Sequence, residues 1–399
     1  MMPLERRASA SLALIFALRM LGLFLVLPVF ALEAHKYPGG DDAARVGLAM
    51  GIYGLSQALL QIPFGMASDR LGRKPVIVAG LVVFALGSAL AAWAPTLGWL
   101  VVGRALQGAG AISAAVTALL ADLTRDAVRT KAMAMVGASI GLMFGVSLVL
   151  SPLLAGYFGL HGLFALTSAL ALGGIAVVLW AVPPEPRDAV VQARGRLRDV
   201  LKLPALLRLD AGVFILHAVQ LAMWLAVPGL LVQAGLARDH HWWVYLPAVL
   251  GSFLVMGGTL FPLEKRGYLR AVFLSSIALV GVVQLVLVAL VSTAATVVPS
   301  MALMGCVLFV FFCGFNVLEA SQPSLVSRLA PTTARGAALG VYNTLQSLGF
   351  FVGGAAGGWL LKVAGPQLLY GVCAGATLLW LLVAWPMQVP KLTAAAKAG

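Results

Sequence analysis

Two ionisable side chains stand inside apolar runs: His217, nine residues past Arg208, and Glu319, nine residues before Arg328. If those runs are helices, a rise of ~1.5 Å per residue puts both roughly 13 Å from the flanking basic residues, at similar depth. Burial favours the neutral form of a carboxylic acid and of an imidazole alike, so such a pair can exchange protons near neutral pH. Proton coupling is the functional reading, with Glu319 the better carrier. A static polar pair holding two helices together is the alternative. Arg19 and Arg104 also interrupt apolar runs, and ionisable groups in such surroundings default to function. Glu33 and Asp210 fall near the ends of their runs and read as interfacial.

A second constellation is Gly65-Met66-Ala67-Ser68-Asp69-Arg70-Leu71-Gly72-Arg73-Lys74-Pro75. Gly65 is expected to let helices approach closely, Gly72 to form a tight turn, and Asp69 to face a helix N-terminus. Arg73 needs an acidic partner, and Asp122 is nearest in depth. A generic basic loop accounts for the arginines but not for this spacing. Uncharged polar and aromatic groups complete the inventory: Tyr53 and Gln57, Trp224 and Pro228, Asn316, and Tyr342, Asn343 and Gln346. Apolar walls with a few polar anchors suit an amphipathic organic ligand. Interfacial or packing roles account for Tyr and Trp equally well.

The elements that must position these groups follow from composition. The 399 residues are 61% apolar and only 10% charged, with a mean hydropathy of +0.99. Soluble chains carry ~25% charged residues to cover their surface, so lipid is the solvent here. A span needs ~20 apolar residues, and twelve runs qualify: 9–32, 44–67, 75–94, 97–120, 132–157, 161–182, 209–233, 243–263, 271–291, 297–322, 336–361 and 367–388. The first resembles a secretory signal peptide, but it is too long for one and has Arg19 in its middle. No two-residue alternation suggests barrel strands, so the fold class is an all-α membrane protein. Of the 27 lysines and arginines, 21 fall on one side of this topology and four on the other. The positive-inside rule makes the crowded side, with both termini, cytoplasmic. The net charge of +13 therefore reports topology, and nucleic acid is not an expected partner. Cys306, Cys313 and Cys373 all lie in apolar runs, so no disulfide framework or metal site is read, and no cofactor is expected.

The chain divides into two pseudo-symmetric halves. Residues 183–208 open with Pro183-Pro184-Glu185-Pro186 and carry spaced arginines. They form a cytoplasmic linker between six-helix bundles at 1–182 and 209–399, with 197–209 either a short surface helix or solvated chain. Segment 123–134 recurs loosely as 329–340, at an offset of 206. Parallel six-helix repeats are an architecture for alternating access.

The stretch from Gly65 to Lys74 resembles motif A of the major facilitator superfamily, G-x-x-x-D-R-x-G-R-K, at every fixed position. Segment 104–110, Arg-Ala-Leu-Gln-Gly-Ala-Gly, resembles motif B. Gly137, Gly141, Gly145, Pro152 and Gly156 are similar to the antiporter motif, although Ser151-Pro152 stands where that motif has Gly-Pro. For each of these glycines singly, as for Gly353/Gly357 and Gly354/Gly358, close helix packing is the simpler account. Segments 52–57 and 103–110 look closest to the YajR-type branch of proton-linked drug exporters, some of which carry a soluble C-terminal domain. Ending at Gly399, this chain is expected to lack it. The resemblance implies a twelve-helix transporter in which spans one, four, seven and ten border a cavity. It implies export of small amphipathic compounds or drugs in exchange for protons, as a monomer in a bacterial inner membrane, with motif A as conformational switch. An importer or facilitator of a sugar or other metabolite is the alternative on the same fold. No phosphate-binding loop is present. A membrane enzyme would need paired acidic motifs, and Asp41-Asp42 is the only adjacent acidic pair. An enzyme is not expected.

Overall fold

The computed structural model describes residues 1–185, 200–293, 299–331 and 334–388, and among them there is no strand. Most of the linker at 183–208 therefore lies outside the described residues. Helices α1 (Pro3–Phe24) and α2 (Leu27–Glu33) form the first span. The interruption follows from Pro28, whose ring would clash with the carbonyl four residues back. That residue is Phe24, where α1 stops. Helix α3 (Ala43–Leu71) is capped by Asp42, whose side chain accepts from the backbone N–H of Ala44 at 3.0 Å. It ends at Gly72, with φ 95° and ψ 152°, and α4 (Arg73–Ala92) starts on the next residue. This one-residue turn uses a φ that favours glycine.

The fourth span is not the continuous helix expected over 97–120. It consists of α5 (Leu97–Ala109) and α6 (Ser113–Asp122). Gly108 and Gly110 are poor helix formers, and a Cβ at either would strike a neighbouring backbone, at Tyr53 and Gly80 respectively. Glycine thus serves close approach here and breaks the helix as a result.

Helix α7 (Asp126–Ala176) runs for 51 residues, about 75 Å at ~1.5 Å per residue, more than twice the ~30 Å of a bilayer core. It folds back at Gly159 (φ 60°, ψ −166°), which yields the fifth and sixth spans. The remaining helices are α8 (Pro204–Gln233), α9 (Trp242–Lys265), α10 (Leu269–Thr293), α11 (Met301–Leu329) and α12 (Arg335–Ala384). The last runs for 50 residues and turns at Gly365 (φ 73°, ψ −176°). Among the described residues ten helical segments are long and apolar enough to cross a membrane. Two of them turn back on themselves, so the chain crosses twelve times. This is a multi-pass, all-helical membrane protein.

Two compact units emerge: Met1–Gln192 with Gly354–Gly358, and Ala193–Gly353 with Trp359–Gly399. The core of the first includes Leu12, Ile15, Phe16, Ile77, Leu81, Ile112 and Val116. In the second, a Cβ at Gly349 or Gly353 would meet the backbone of Phe214 or Ala218, so α8 and α12 lie in close contact there.

Candidate functional site

In the second unit three helices bring together His217, Glu319 and Gln346. His217 Nε2 lies 3.3 Å from Glu319 Oε2. The side-chain amide nitrogen of Gln346 is 2.8 Å from His217 Nε2 and 3.4 Å from Glu319 Oε1. His217 Nδ1 is 2.9 Å from the carbonyl oxygen of Val213. A carbonyl only accepts, so Nδ1 carries the proton of the neutral ring and Nε2 is left as its acceptor. Phe350 and Phe315 meet the imidazole edge-on, with centroids 4.8 and 6.0 Å away. The ring is therefore held on its faces as well as at both nitrogens. The His217 side chain is 2% exposed and that of Glu319 41%, so the carboxylate is the member open to exchange.

Two further residues belong to this neighbourhood. Tyr342 is buried, its hydroxyl has no hydrogen-bond partner among the described residues, and Glu319 and Asp210 both act on it electrostatically. Asp210, expected near the membrane interface, stands six residues into α8, which begins at Pro204, and is buried within the protein. Glu33 is likewise buried and pairs with Lys36 at 2.6 Å. Asn316 does not join Glu319; it donates to Ser252 Oγ at 2.7 Å, tying α11 to α9. Asn343 is half-buried. Trp224 packs edge-on to Tyr245 at 5.3 Å and lines a small apolar cavity with Gln220, Met223 and Phe312.

The first unit holds two buried guanidinium groups. Arg19 donates to Tyr53 Oη at 2.8 Å, to Ser113 Oγ at 3.0 Å and to the Gly110 carbonyl at 3.3 Å. It thus serves a carbonyl freed by the break in the fourth span. Arg104 donates to Gln107 Oε1 at 3.0 Å and to the carbonyls of Met50 and Ala49 at 3.3 and 3.4 Å. Tyr53 joins the two, because its ring lies under the Arg104 guanidinium at 5.1 Å. Among the described residues no carboxylate pairs with either arginine. Gln57 leaves its side-chain oxygen unpartnered one turn along α3.

At the α3–α4 turn, Arg73 pairs with Asp69, donates from Nε to Asp122 at 3.2 Å and reaches Ser68 Oγ at 2.8 Å. Arg70 is exposed. Gly65 does not mediate a close approach: a Cβ there would make an ordinary contact with Ala114 at 3.6 Å. The second unit carries a charge-swapped counterpart, in which Arg328 of α11 pairs with Glu264 of α9 at 2.6 Å. Sequence reasoning missed Glu185. Its carboxylate accepts from the backbone N–H of Arg73 at 3.0 Å and from that of Lys74. It caps α4 with negative charge at the positive end of the helix dipole. Opposite it, Lys74 Nζ and Arg7 Nε donate to the carbonyls of Val182 and Ala181 at 2.6 and 2.9 Å. No motif flags Glu185, because its partners are backbone groups more than a hundred residues away. Glu5 was also missed, its partner being a guanidinium 120 residues away. It binds Arg125 at 2.7 and 3.2 Å and holds that guanidinium above its ordinary pKa.

The packing account of Gly137, Gly145 and Gly156 does not hold. Among the described residues a Cβ at any of them meets no atom within 4 Å, so no neighbour requires the missing side chain. Pro152 sits within α7, as does Gly141.

Residues 12–324 match the sequence profile of the Major Facilitator Superfamily. The chain is 41% identical over 394 residues to the inner membrane transport protein YajR of Escherichia coli K12, covering 98% of this chain and 85% of that one. It is 27% identical to the multidrug resistance protein MdtH of Aeromonas salmonicida, covering 96% of each. Its fold is similar to that of the human organic anion transporter MFSD10, with a TM-score of 0.68 at 19% identity over 96% of this chain and 100% of that one. The chain is a transporter and belongs to the major facilitator superfamily.

Proposed function

We propose that this transporter is a proton-coupled exporter of small amphipathic organic compounds, working by alternating access in a bacterial inner membrane. The observation that carries the reading is the contact of Glu319 with His217 and Gln346. It is an intramembrane carboxylate that is half open, next to a buried imidazole whose tautomer is fixed. Such a group can take a proton in one facing state and release it in the other. The printed roles of the relatives, an inner membrane transport protein and a multidrug resistance protein, support the location and the substrate class. In this reading Arg19, Tyr53, Gln57, Arg104, Trp224, Asn316, Tyr342, Asn343 and Gln346 contribute to substrate handling. Gly65, Asp69, Arg70, Gly72, Arg73 and Asp122 form the conformational switch. The α7 residues Gly137, Gly141, Gly145, Pro152 and Gly156 form the antiporter-motif helix. The bundles at 1–182 and 209–399, joined by 183–208, act within one monomer with both termini cytoplasmic.

The test is gradient-driven uptake of a fluorescent lipophilic cation into acid-loaded proteoliposomes. Glu319→Gln keeps the shape and fixes the neutral form, so binding and exchange persist while accumulation against the pH gradient is lost. Full accumulation by Glu319→Gln removes the residue from the coupling.

A further inference from the structure

Asp210 lies on α8 seven residues before His217, two turns away on the same face. It is 5% exposed, and neither carboxylate oxygen has a hydrogen-bond partner among the described residues. No basic group offsets it there. Arg208 on the same helix and Arg335 at the start of α12 form no ion pair with it, and Arg328 of α11 is taken by Glu264. The ionisable groups in its neighbourhood are Tyr342 from α12, which feels both Asp210 and Glu319 but hydrogen-bonds to neither, and His217 on α8 itself. A buried carboxylate with no partner does not stay ionised, because it has lost the hydrogen bonds of water and gained none.

We propose that Asp210 is a second proton-binding site of this unit, holding a proton in the present conformation. This inference rests on the proton-coupled reading of Glu319.

Infrared spectroscopy of the full chain in lipid at neutral pH reads a buried protonated carboxyl directly, as its carbonyl-stretch band. The band is expected in the unsubstituted chain, is expected to be lost in Asp210→Asn, and is expected to persist in Glu319→Gln. Should Asp210→Asn not fold, carbon-13 labelling of aspartate in the unsubstituted chain shifts the band and leaves glutamate bands in place. Absence of an aspartate-sensitive band, or its survival in Asp210→Asn, overturns the proposal. This readout uses neither a gradient nor a transport substrate. If the band behaves as expected while Glu319→Gln still accumulates substrate, the coupling reading falls and the Asp210 site stands. If the band is missing while Glu319→Gln loses accumulation, the Asp210 proposal falls alone.

Discussion

Gly159 and Gly365, 206 residues apart, share one backbone conformation, φ 60° with ψ −166° and φ 73° with ψ −176°. The same offset separates the repeated segments 123–134 and 329–340. Each half therefore turns its fifth span into its sixth on the same residue of the repeat, in a region of backbone space that is almost closed to other residues.

Alanine at either turn is expected to cost about 1–3 kcal/mol. For Gly365 the cost is purely conformational, since a Cβ there meets nothing within 4 Å. Gly137→Ala is the control. That position is helical and equally open, so it should be neutral or gain up to about 1 kcal/mol. Thermal unfolding in detergent checks both, and equal behaviour of Gly365→Ala and Gly137→Ala would count against the assigned strain.

Arg19→Lys should destabilise despite keeping the charge. The planar guanidinium reaches Tyr53, Ser113 and Gly110 at once, and a lysine ammonium cannot reproduce that fork. A buried acceptor left unpaired costs about 1–3 kcal/mol. Tyr53→Phe, which leaves Arg19 its other two partners, should cost less. The melting temperatures of the two variants give the comparison, and a larger loss for Tyr53→Phe would contradict this order.

The twelve crossings were legible because lipid demands long apolar runs, and hydropathy reads those directly. The turns at Gly159 and Gly365 sit between runs ending at 157 and 361 and runs starting at 161 and 367. The break within the fourth span was not legible. Glycine at 108 and 110 signals close packing as readily as a helix end, and both proved true. Depth counting aligned His217 with Glu319 because basic residues mark the membrane edge on each helix. The burial of Asp210 within the protein was beyond that counting, which gives depth along a helix and not which face a neighbour covers. Glu185 was beyond reach because its partners are backbone N–H groups, which every residue type carries.

Glu185→Ala leaves the N–H groups of Arg73 and Lys74 at the start of α4 without their carboxylate. Loss of a capping side chain costs about 0.5–2 kcal/mol. The loss should be local to the α3–α4 turn. Amide hydrogen exchange is expected to rise across residues 72–76 with little change at the Gly159 turn. Uniform exchange at both places would mean that Glu185 does not act as a cap.

The final prediction concerns the amide at the centre of the cluster. With His217 Nδ1 committed to the Val213 carbonyl, the neutral ring offers only a lone pair at Nε2, and the Gln346 amide donates to it at 2.8 Å. Gln346→Leu removes that donor and leaves the buried Nε2 acceptor without its amide partner, which costs about 1–3 kcal/mol. The melting temperature in detergent should therefore fall, whereas Asn343→Leu, one turn away on α12 and outside this contact, should change it less. An unchanged melting temperature for Gln346→Leu would show that the amide oxygen, not the amide nitrogen, faces the ring.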